Sequence, residues 1–422
     1  MLVGLPLTGC KLASNSVRST RDQPVVATPP PVMTTEAVST MDDLVEDSSQ
    51  SMNIDSVAID SVAGESVVVE APVFEPEPEP EPAPRPRVRD EPRSITTPSA
   101  NSTLGGSPKQ LAVSILLEAS RSQWPQMRAN AMEALIPDQQ RLRGEVVAGL
   151  VDQNRGVRFV ALMSMYEAKL CELQPMAEEL LADPSESVRA AAILALKSCG
   201  ARVDPSPLAA MARSSDPEVR ANAFMVLGLL GNPSAEPLIR DALGESLGLV
   251  NPNLKRIVEL EGATALVRLG DENEIQPLRA ALFTPSEQGE LVLLAIQSLT
   301  ELKDEGAKGM LVRLVEAPGD QARPAEIRLA AATALARLGL QDPQPYLRLA
   351  SEYLTSPDPA VRAQVAILLG FVRSETGESI LANLMQDSNA LVRLSAAGSV
   401  VRHASRDPLG TPLDATAQVD NP

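Results

Sequence analysis

Histidine and cysteine, on which many metal sites and activated nucleophiles depend, are scarce in this chain. The 422 residues include one histidine, His403, and three cysteines, Cys10, Cys171 and Cys199. Protein metal sites and activated nucleophiles commonly depend on histidine or on clustered cysteines. The cysteines form no Cys-x-x-Cys pair and no dense framework. We therefore predict no catalytic residue, no metal site and no cofactor.

Cys10 is the cysteine whose neighbours indicate a modification. It ends the run Leu7-Thr8-Gly9-Cys10, which resembles the bacterial lipobox, so residues 1–10 are expected to be a partial lipoprotein signal peptide. The resemblance implies a lipidated Cys10, and two or more acyl chains anchor a protein firmly. A complete signal peptide begins with positive charge, so we expect further residues upstream of these ten or a trimmed sequence. The alternative is an ordinary cysteine in a disordered tail.

The residue after the cysteine bears on the choice of membrane. Lys11 occupies this position rather than aspartate, which by resemblance to enterobacterial lipoproteins slightly favours the outer membrane.

Residues 11–105 have the composition of a disordered tether. They show no lasting helical or alternating period, and Phe74 is their only aromatic residue, so they cannot bury enough apolar surface to offset chain entropy. Glu75–Glu81 alternates Glu with Pro and Pro84–Arg87 alternates Pro with Arg. This order resembles the spacer of TonB-type envelope proteins. As a flexible coil the tether would span on the order of 50 Å.

A short phrase repeats through residues 106–404 and predicts paired helices. Its clearest copy reads Asp183-Pro184, then Val188-Arg189, then an Ala-rich stretch. Asp can cap a helix start, and Pro is tolerated in the first turn. The Val-Arg position recurs in nine units, 30 to 31 residues apart in the first four. Such a period is typical of stacked helical repeats, and we predict disorder again over 405–422.

These units resemble the HEAT family, in the short form of phycobilisome-lyase-like repeats. The resemblance implies an all-α fold, an α-solenoid of about nine stacked helical hairpins. It also implies an internal ladder in which arginines of the Val-Arg position reach acids of neighbouring units. A residue needed in every repeat serves stacking, so we assign the ladder a structural role. Its members are Arg158, Arg189, Arg220, Arg328, Arg362, Arg393, Asp152, Asp183, Asp216, Asp358 and Asp387.

The sixth unit and the ends of the array carry expectations of their own. Val292 stands at the basic position of the sixth unit, where we expect a softer joint. Both ends of a solenoid need a cap, and the apolar stretch 108–120 is predicted to form the opening helix.

The second helices of four units carry an arginine near the same place. In related HEAT folds these helices line the concave face, and a row of guanidinium groups there could bind an acidic peptide, a carboxylate or anionic lipid headgroups. The alternative is a solvated face with scattered ion pairs. The candidate residues are Arg240, Arg279, Arg313 and Arg348.

Three other residues each allow two interpretations. Trp124, the only tryptophan, could anchor a partner, but we expect it to pack beneath the opening helix. Cys171 and Cys199 could form a disulfide if their Cα atoms lie within ~7 Å. We expect two buried free thiols instead, because unpaired cysteine behaves as a small hydrophobe.

These patterns favour a non-catalytic protein over an enzyme. We predict a bacterial envelope lipoprotein, facing the periplasm, whose repeats form a scaffold for unidentified protein partners. The net charge of −18 argues against nucleic acid as a partner, because binding phosphates needs a concentrated basic face. The alternative is a cytoplasmic HEAT-like lyase or lyase chaperone acting on a protein-bound cofactor, similar to phycobilin lyases.

Overall fold

The computed structural model describes residues 107–405, apart from 340 and 341 and the side chain of Asp320. The predicted signal peptide 1–10 with Cys10, the tether 11–105 and nearly all of 405–422 lie outside the described residues. Within them the chain is entirely helical, which confirms the predicted all-α class. Eighteen α-helices alternate between two roles, first helix and second helix, as the repeats require.

The first helices are α2 Pro125–Leu135, α4 Arg155–Ala168, α6 Glu186–Ser198, α8 Pro217–Leu230, α10 Pro252–Arg268, α12 Gly289–Glu301, α14 Ala325–Arg337, α16 Pro359–Leu369 and α18 Ala390–Ser405. The second helices are α1 Pro108–Ala119, α3 Gln139–Leu150, α5 Gln174–Glu179, α7 Pro207–Met211, α9 Glu236–Gly244, α11 Ile275–Ala281, α13 Lys308–Glu316, α15 Gln344–Tyr353 and α17 Glu375–Leu384.

Helix starts and stops follow the predicted chemistry. Asp216 caps α8 by accepting a hydrogen bond from the Glu218 amide, and Pro217 fills the first turn. The same helix ends at Gly231, whose φ of 67° lies in the left-handed region that glycine adopts without strain. These local rules therefore set the length of each hairpin.

The first helices pack side by side and form the inside of the array. Small residues let their backbones approach closely: a Cβ atom on Gly228 of α8 would lie 2.8 Å from Cα of Ala265 in α10. Most second helices lie in the outer groove between two successive first helices, as α3 does between α2 and α4 and α15 between α14 and α16. Close packing shortens the inner side relative to the outer one, so the array curves around its first helices.

The two ends of the array pack against each other. The last first helix, α18, contacts α2, and a Cβ atom on Gly398 would lie 2.9 Å from Cβ of Ala134. Helix α1 occupies the groove between α18 and α2, which is the place of a second helix. The helix predicted over 108–120 is confirmed, but its expected role as an end cap is wrong: α1 completes the ninth hairpin, and the described array closes on itself. We call the junction of α18, α1 and α2 the seam.

A disulfide links successive repeats on one side of the array. The sulfur atoms of Cys171, just after α4, and Cys199, just after α6, are bonded, and their Cα atoms are 5.4 Å apart. The expectation of two free thiols is wrong, because stacking brings equivalent ends of neighbouring first helices within disulfide range.

None of the helices in the described range is long and apolar enough to cross a membrane.

Candidate interaction site at the entry turns

The turn before each first helix, here called the entry turn, is organised by one arginine. In five repeats this arginine donates through Nη1 to the carbonyl six residues earlier, at 2.7 to 2.9 Å. In three of the five, its Nε and Nη2 also donate to both oxygens of an aspartate in the next entry turn, at 2.7 to 2.9 Å. Such bidentate pairs are strong and directional. The pairs are Arg128–Asp152, Arg158–Asp183 and Arg362–Asp387.

The Arg362–Asp387 pair also changes the acidity of the Asp387 carboxyl group. Hydrogen bonds from the Arg362 guanidinium hold the pKa of Asp387 below its ordinary value. The charged form of Asp387 is therefore the form that stabilises the fold.

The ladder prediction is wrong for two of its acids. Asp216 and Asp358 each accept a hydrogen bond from the amide two residues later, at 2.8 Å, and cap their own helices. They lie four residues before the arginine, whereas the paired acids lie six residues before it. Ser214 and Ser356 occupy that earlier position in these two repeats. Only the earlier position faces the arginine of the preceding repeat.

Where the ladder position holds serine or, in the fifth repeat, Leu249, the preceding arginine bonds elsewhere. Arg189 donates to Glu186 in its own helix at 3.0 Å, and Arg328 pairs with Glu352 at 2.6 Å. Arg220 is 2% exposed and donates to four backbone carbonyls around its entry turn and the next. The ladder therefore holds the repeats together in several local forms.

The sixth repeat replaces its missing arginine with one from a neighbouring turn. Val292 is fully buried. Arg323, in the following entry turn, donates to the carbonyls of Leu282 and Thr284 at 3.0 and 2.7 Å and to the hydroxyl of Ser286 at 3.2 Å. This joint therefore keeps side-chain-to-carbonyl bonds of the kind that Val292 cannot make.

The arginines of the predicted row lie on the outside of the array. The expected concave placement is wrong, because the closely packed first helices face inward. Two of the four hold neighbouring repeats together: one binds three acids and another binds Asp304 at 2.6 and 2.8 Å. A third lies over the ring of Phe283, and the fourth is exposed. In this order they are Arg240, Arg279, Arg313 and Arg348, and their role in binding stays a prediction.

Exposed apolar side chains gather at the entry turns. Of the five large apolar residues that the described range exposes, four belong to these turns. Trp124 is 61% exposed and Phe283 is 53% exposed; the other two are Val151 and Leu249. The entry turns all lie at the same ends of the parallel first helices. One rim of the array therefore carries most of its exposed apolar surface.

Trp124 does not pack beneath α1. It immediately precedes Pro125 with an extended backbone, and its amide donates to the Ser122 hydroxyl at 3.2 Å. Because α1 fills the groove between α18 and α2, the entry turn leaves the indole ring outside. The packing expectation for Trp124 is wrong, and the alternative of a partner anchor remains open.

A surface cavity of about 630 Å³ opens at the seam beside this turn. Both apolar and charged side chains line it. They include Ile115, Leu117, Glu118, Arg121, Met127 and Arg393. The cavity lies between the end of α1 and the start of α18, so those two helices run in opposite directions.

At the opposite ends of the first helices, charges interact across the array. Arg337 of α14 interacts electrostatically with Glu301 of α12 and with Glu167 of α4. Arg268 of α10 similarly acts on Tyr166 of α4. Surrounding protein lowers the pKa of Arg337 although its side chain reaches solvent. These helix ends therefore converge in the interior of the array.

The interior offers one further recess. A cavity of about 50 Å³ lies among α12, α14 and α16, with mainly apolar walls. Oε1 of Gln364 in its wall makes no hydrogen bond with the described residues. The described residues contain no cluster of three or more His, Cys, Asp or Glu side chains that could hold a metal. One amide oxygen beside an apolar cavity defines no reaction, so we place the candidate site at the entry turns.

Sequence reasoning missed the seam and its residues. One signal was present: Ser122 lies six residues before Arg128, at the position where three other repeats carry the ladder aspartate. That signal has meaning only if Arg393 of the last repeat faces the first repeat, which the linear pattern does not reveal.

Comparison with known proteins supports the repeat architecture. Residues 205–289 match the HEAT repeats family. No protein of curated function matches the chain. Human deoxyhypusine hydroxylase, solved in complex with glycerol, is 18% identical, with 64% of this chain and 98% of that chain aligned at a TM-score of 0.31. That likeness is too low to carry an argument. The chain is therefore described as an all-α array in which residues 205–289 match HEAT repeats.

Proposed function

We propose that this protein is a non-catalytic scaffold that binds protein partners through its entry-turn rim and is held at a bacterial membrane by a lipid on Cys10. HEAT repeats suggest a protein-interaction scaffold. The observation that carries the proposal is the gathering of Trp124, Phe283 and two other exposed apolar residues on one rim. Aromatic side chains that become buried on binding are common energetic centres of protein interfaces.

The choice of compartment is supported by the cysteines. Disulfides persist in oxidising compartments such as the bacterial periplasm and are rare in the cytosol. The Cys171–Cys199 disulfide suits the periplasm-facing location that the lipobox resemblance implies.

Site-specific photo-crosslinking in cells tests the rim. We expect a photoreactive amino acid at Trp124 or Phe283 in the full chain to give discrete protein adducts. Leu111 is the matched control, because it is a large exposed apolar residue, 46% exposed, on α1 away from the entry turns. Adducts at Leu111 alone, or at all three positions equally, would contradict a binding rim.

Metabolic labelling tests the anchor. Labelled palmitate should enter the full-length protein and should be lost in Cys10→Ala, while Cys199→Ala keeps the label. A soluble cytosolic product that retains residues 1–10 would contradict the tether.

A further inference from the structure

We propose that the seam cavity is a carboxylate-binding site, in which Arg393 binds an aspartate or glutamate side chain of a partner protein. The inference rests on the proposed function, since it assigns the partner chemistry of that rim. It comes from comparing Arg393 with the equivalent arginines of the other repeats.

The Nη1 atom of Arg393 bonds in the same way as Nη1 of the paired arginines. Its Nη1 donates to the carbonyls of Asp387 and Ser388 at 2.8 and 2.9 Å. Arg158 makes the same two bonds, to the carbonyls of Asp152 and Gln153 at 2.8 and 3.1 Å. Because the guanidinium group is planar, these bonds also fix the direction of the Nε–Nη2 edge.

The groups that bond the Nε–Nη2 edge differ between Arg158 and Arg393. In Arg158 the edge holds both oxygens of Asp183. Among the described residues, neither Nε nor Nη2 of Arg393 bonds a carboxylate, and the side chain's hydrogen bonds are those of Nη1. The residue at the ladder position of the next repeat around the closed array is Ser122, which is too short to span to the guanidinium.

The space beyond this edge is open. Arg393 lines the 630 Å³ cavity, together with Arg121 and Ser122. Among the described residues that line the cavity, Glu118 is the only acid. It is exposed and forms no ion pair with Arg393. A carboxylate entering here would meet the donor edge that holds aspartate in three other repeats.

The cavity walls indicate that the carboxylate belongs to a peptide segment. Ile115, Leu117 and Met127 supply apolar surface beside the guanidinium, and Trp124 lies two residues after Ser122. In the paired repeats the aspartate likewise arrives on a segment that carries apolar residues, as in Leu181-Ala182-Asp183. A partner segment with an acid beside apolar residues therefore matches the site in charge and in apolar surface.

The sole tryptophan provides a readout at the site itself. We would titrate the full chain with the acetylated, amidated heptapeptide LLADPSE, which copies residues 180–186, and follow Trp124 fluorescence up to millimolar peptide. We expect saturable binding, weakened about tenfold or more when the peptide aspartate is replaced by asparagine, because a charge-assisted bidentate contact is lost.

Protein variants assign the binding to Arg393. Arg393→Gln should abolish the response, and Ser122→Asp should abolish it by supplying the acid from within the chain. Arg202→Gln, which removes an exposed arginine after α6 and away from the seam, should leave the titration unchanged. Equal binding of both peptides, unchanged binding to Arg393→Gln, or no response of the wild type at millimolar peptide would each overturn the proposal.

The two proposals fail separately. The titration needs no natural partner, so binding of the peptide without crosslinks at Trp124 would contradict the scaffold function alone. Crosslinks at Trp124 without binding of the peptide would contradict the carboxylate site alone.

Discussion

Equivalent arginines bond differently at two places in the array. One place is the joint between the eighth and ninth repeats, and the other is the seam between the ninth and first. At the regular joint Arg362 holds both oxygens of Asp387 at 2.9 Å. At the seam Arg393 makes the same kind of carbonyl bonds, but the ladder position holds Ser122 and a cavity lies beside it. An array can therefore close through helix packing without an arginine–aspartate pair at the closing joint.

The largest expected difference concerns the ladder acid of the regular joint. Asp387→Asn should lower the free energy of unfolding at pH 7 by about 2 kcal/mol, because a partly buried guanidinium loses its charged partner. Urea unfolding measures the loss. Asp358→Asn is the matched control, since asparagine caps a helix about as well as aspartate does. Equal losses in both variants would contradict the assignment of ladder and cap.

The same pair predicts a dependence on pH. The pKa of Asp387 in the folded protein lies below its ordinary value of 3.8, so its contribution to stability is present above that value and is lost as pH falls through the lowered folded pKa. The stability difference between wild type and Asp387→Asn should therefore shrink in acid. A difference that persists at the lowest pH where both proteins fold would contradict the ion pair.

Helix packing at the seam should be the next most sensitive feature. Gly398→Ala should cost about 1–3 kcal/mol, because the added methyl meets Ala134 at 2.9 Å and overpacking forces a shift. Gly309→Ala is the control: nothing lies within 4 Å of its added methyl, and alanine favours a helix by up to about 1 kcal/mol. Thermal unfolding of both variants checks the prediction. A neutral Gly398→Ala would contradict the contact between α18 and α2.

Supplying the missing acid should convert the seam into a regular joint. Ser122→Asp is expected to raise the free energy of unfolding by about 0.5–1 kcal/mol at low salt, since the new pair forms at a partly exposed site. The gain should fall in high salt, and Ser122→Asn should not reproduce it. A gain that is identical for both substitutions would point to the turn instead of Arg393.

The smallest effect on stability is expected at the rim itself. Trp124→Ala should change the free energy of unfolding by less than about 0.5 kcal/mol, because the side chain is mostly exposed. Calorimetry checks this value. A loss above 2 kcal/mol would show that the indole packs into the fold.

The same comparison shows what the sequence could reveal. Repeats, helix stops and the arginine position are local, so the nine hairpins and the left-handed cap at Gly231 follow from spacing alone. The ladder acids are harder to identify, because aspartates four and six residues before an arginine look equivalent until the helix start is known. The sequence therefore places Asp216 and Asp358 in the ladder, although both cap their own helices.

The seam could not be predicted because it depends on accumulated curvature. Small differences in packing at each first helix, such as the approach of Gly228 to Ala265, add up over the array and decide whether its ends meet. No single repeat encodes that outcome. The exposure of Trp124 and the pairing of Cys171 with Cys199 depend in the same way on how neighbouring repeats stack.

A double-mutant cycle measures the central claim most directly. It combines Arg393→Gln with Ser122→Asp and compares their coupling energy with that of Arg362→Gln and Asp387→Asn. Expressed as the interaction energy between arginine and aspartate, the coupling should be favourable at both places. We predict about 0.5–1 kcal/mol at the seam, where Ser122→Asp creates the pair, and about 1–2 kcal/mol at the regular joint, where Asp387→Asn removes it. No coupling at the seam, with coupling intact at the regular joint, would show that the free edge of Arg393 does not face Ser122 and would contradict the account.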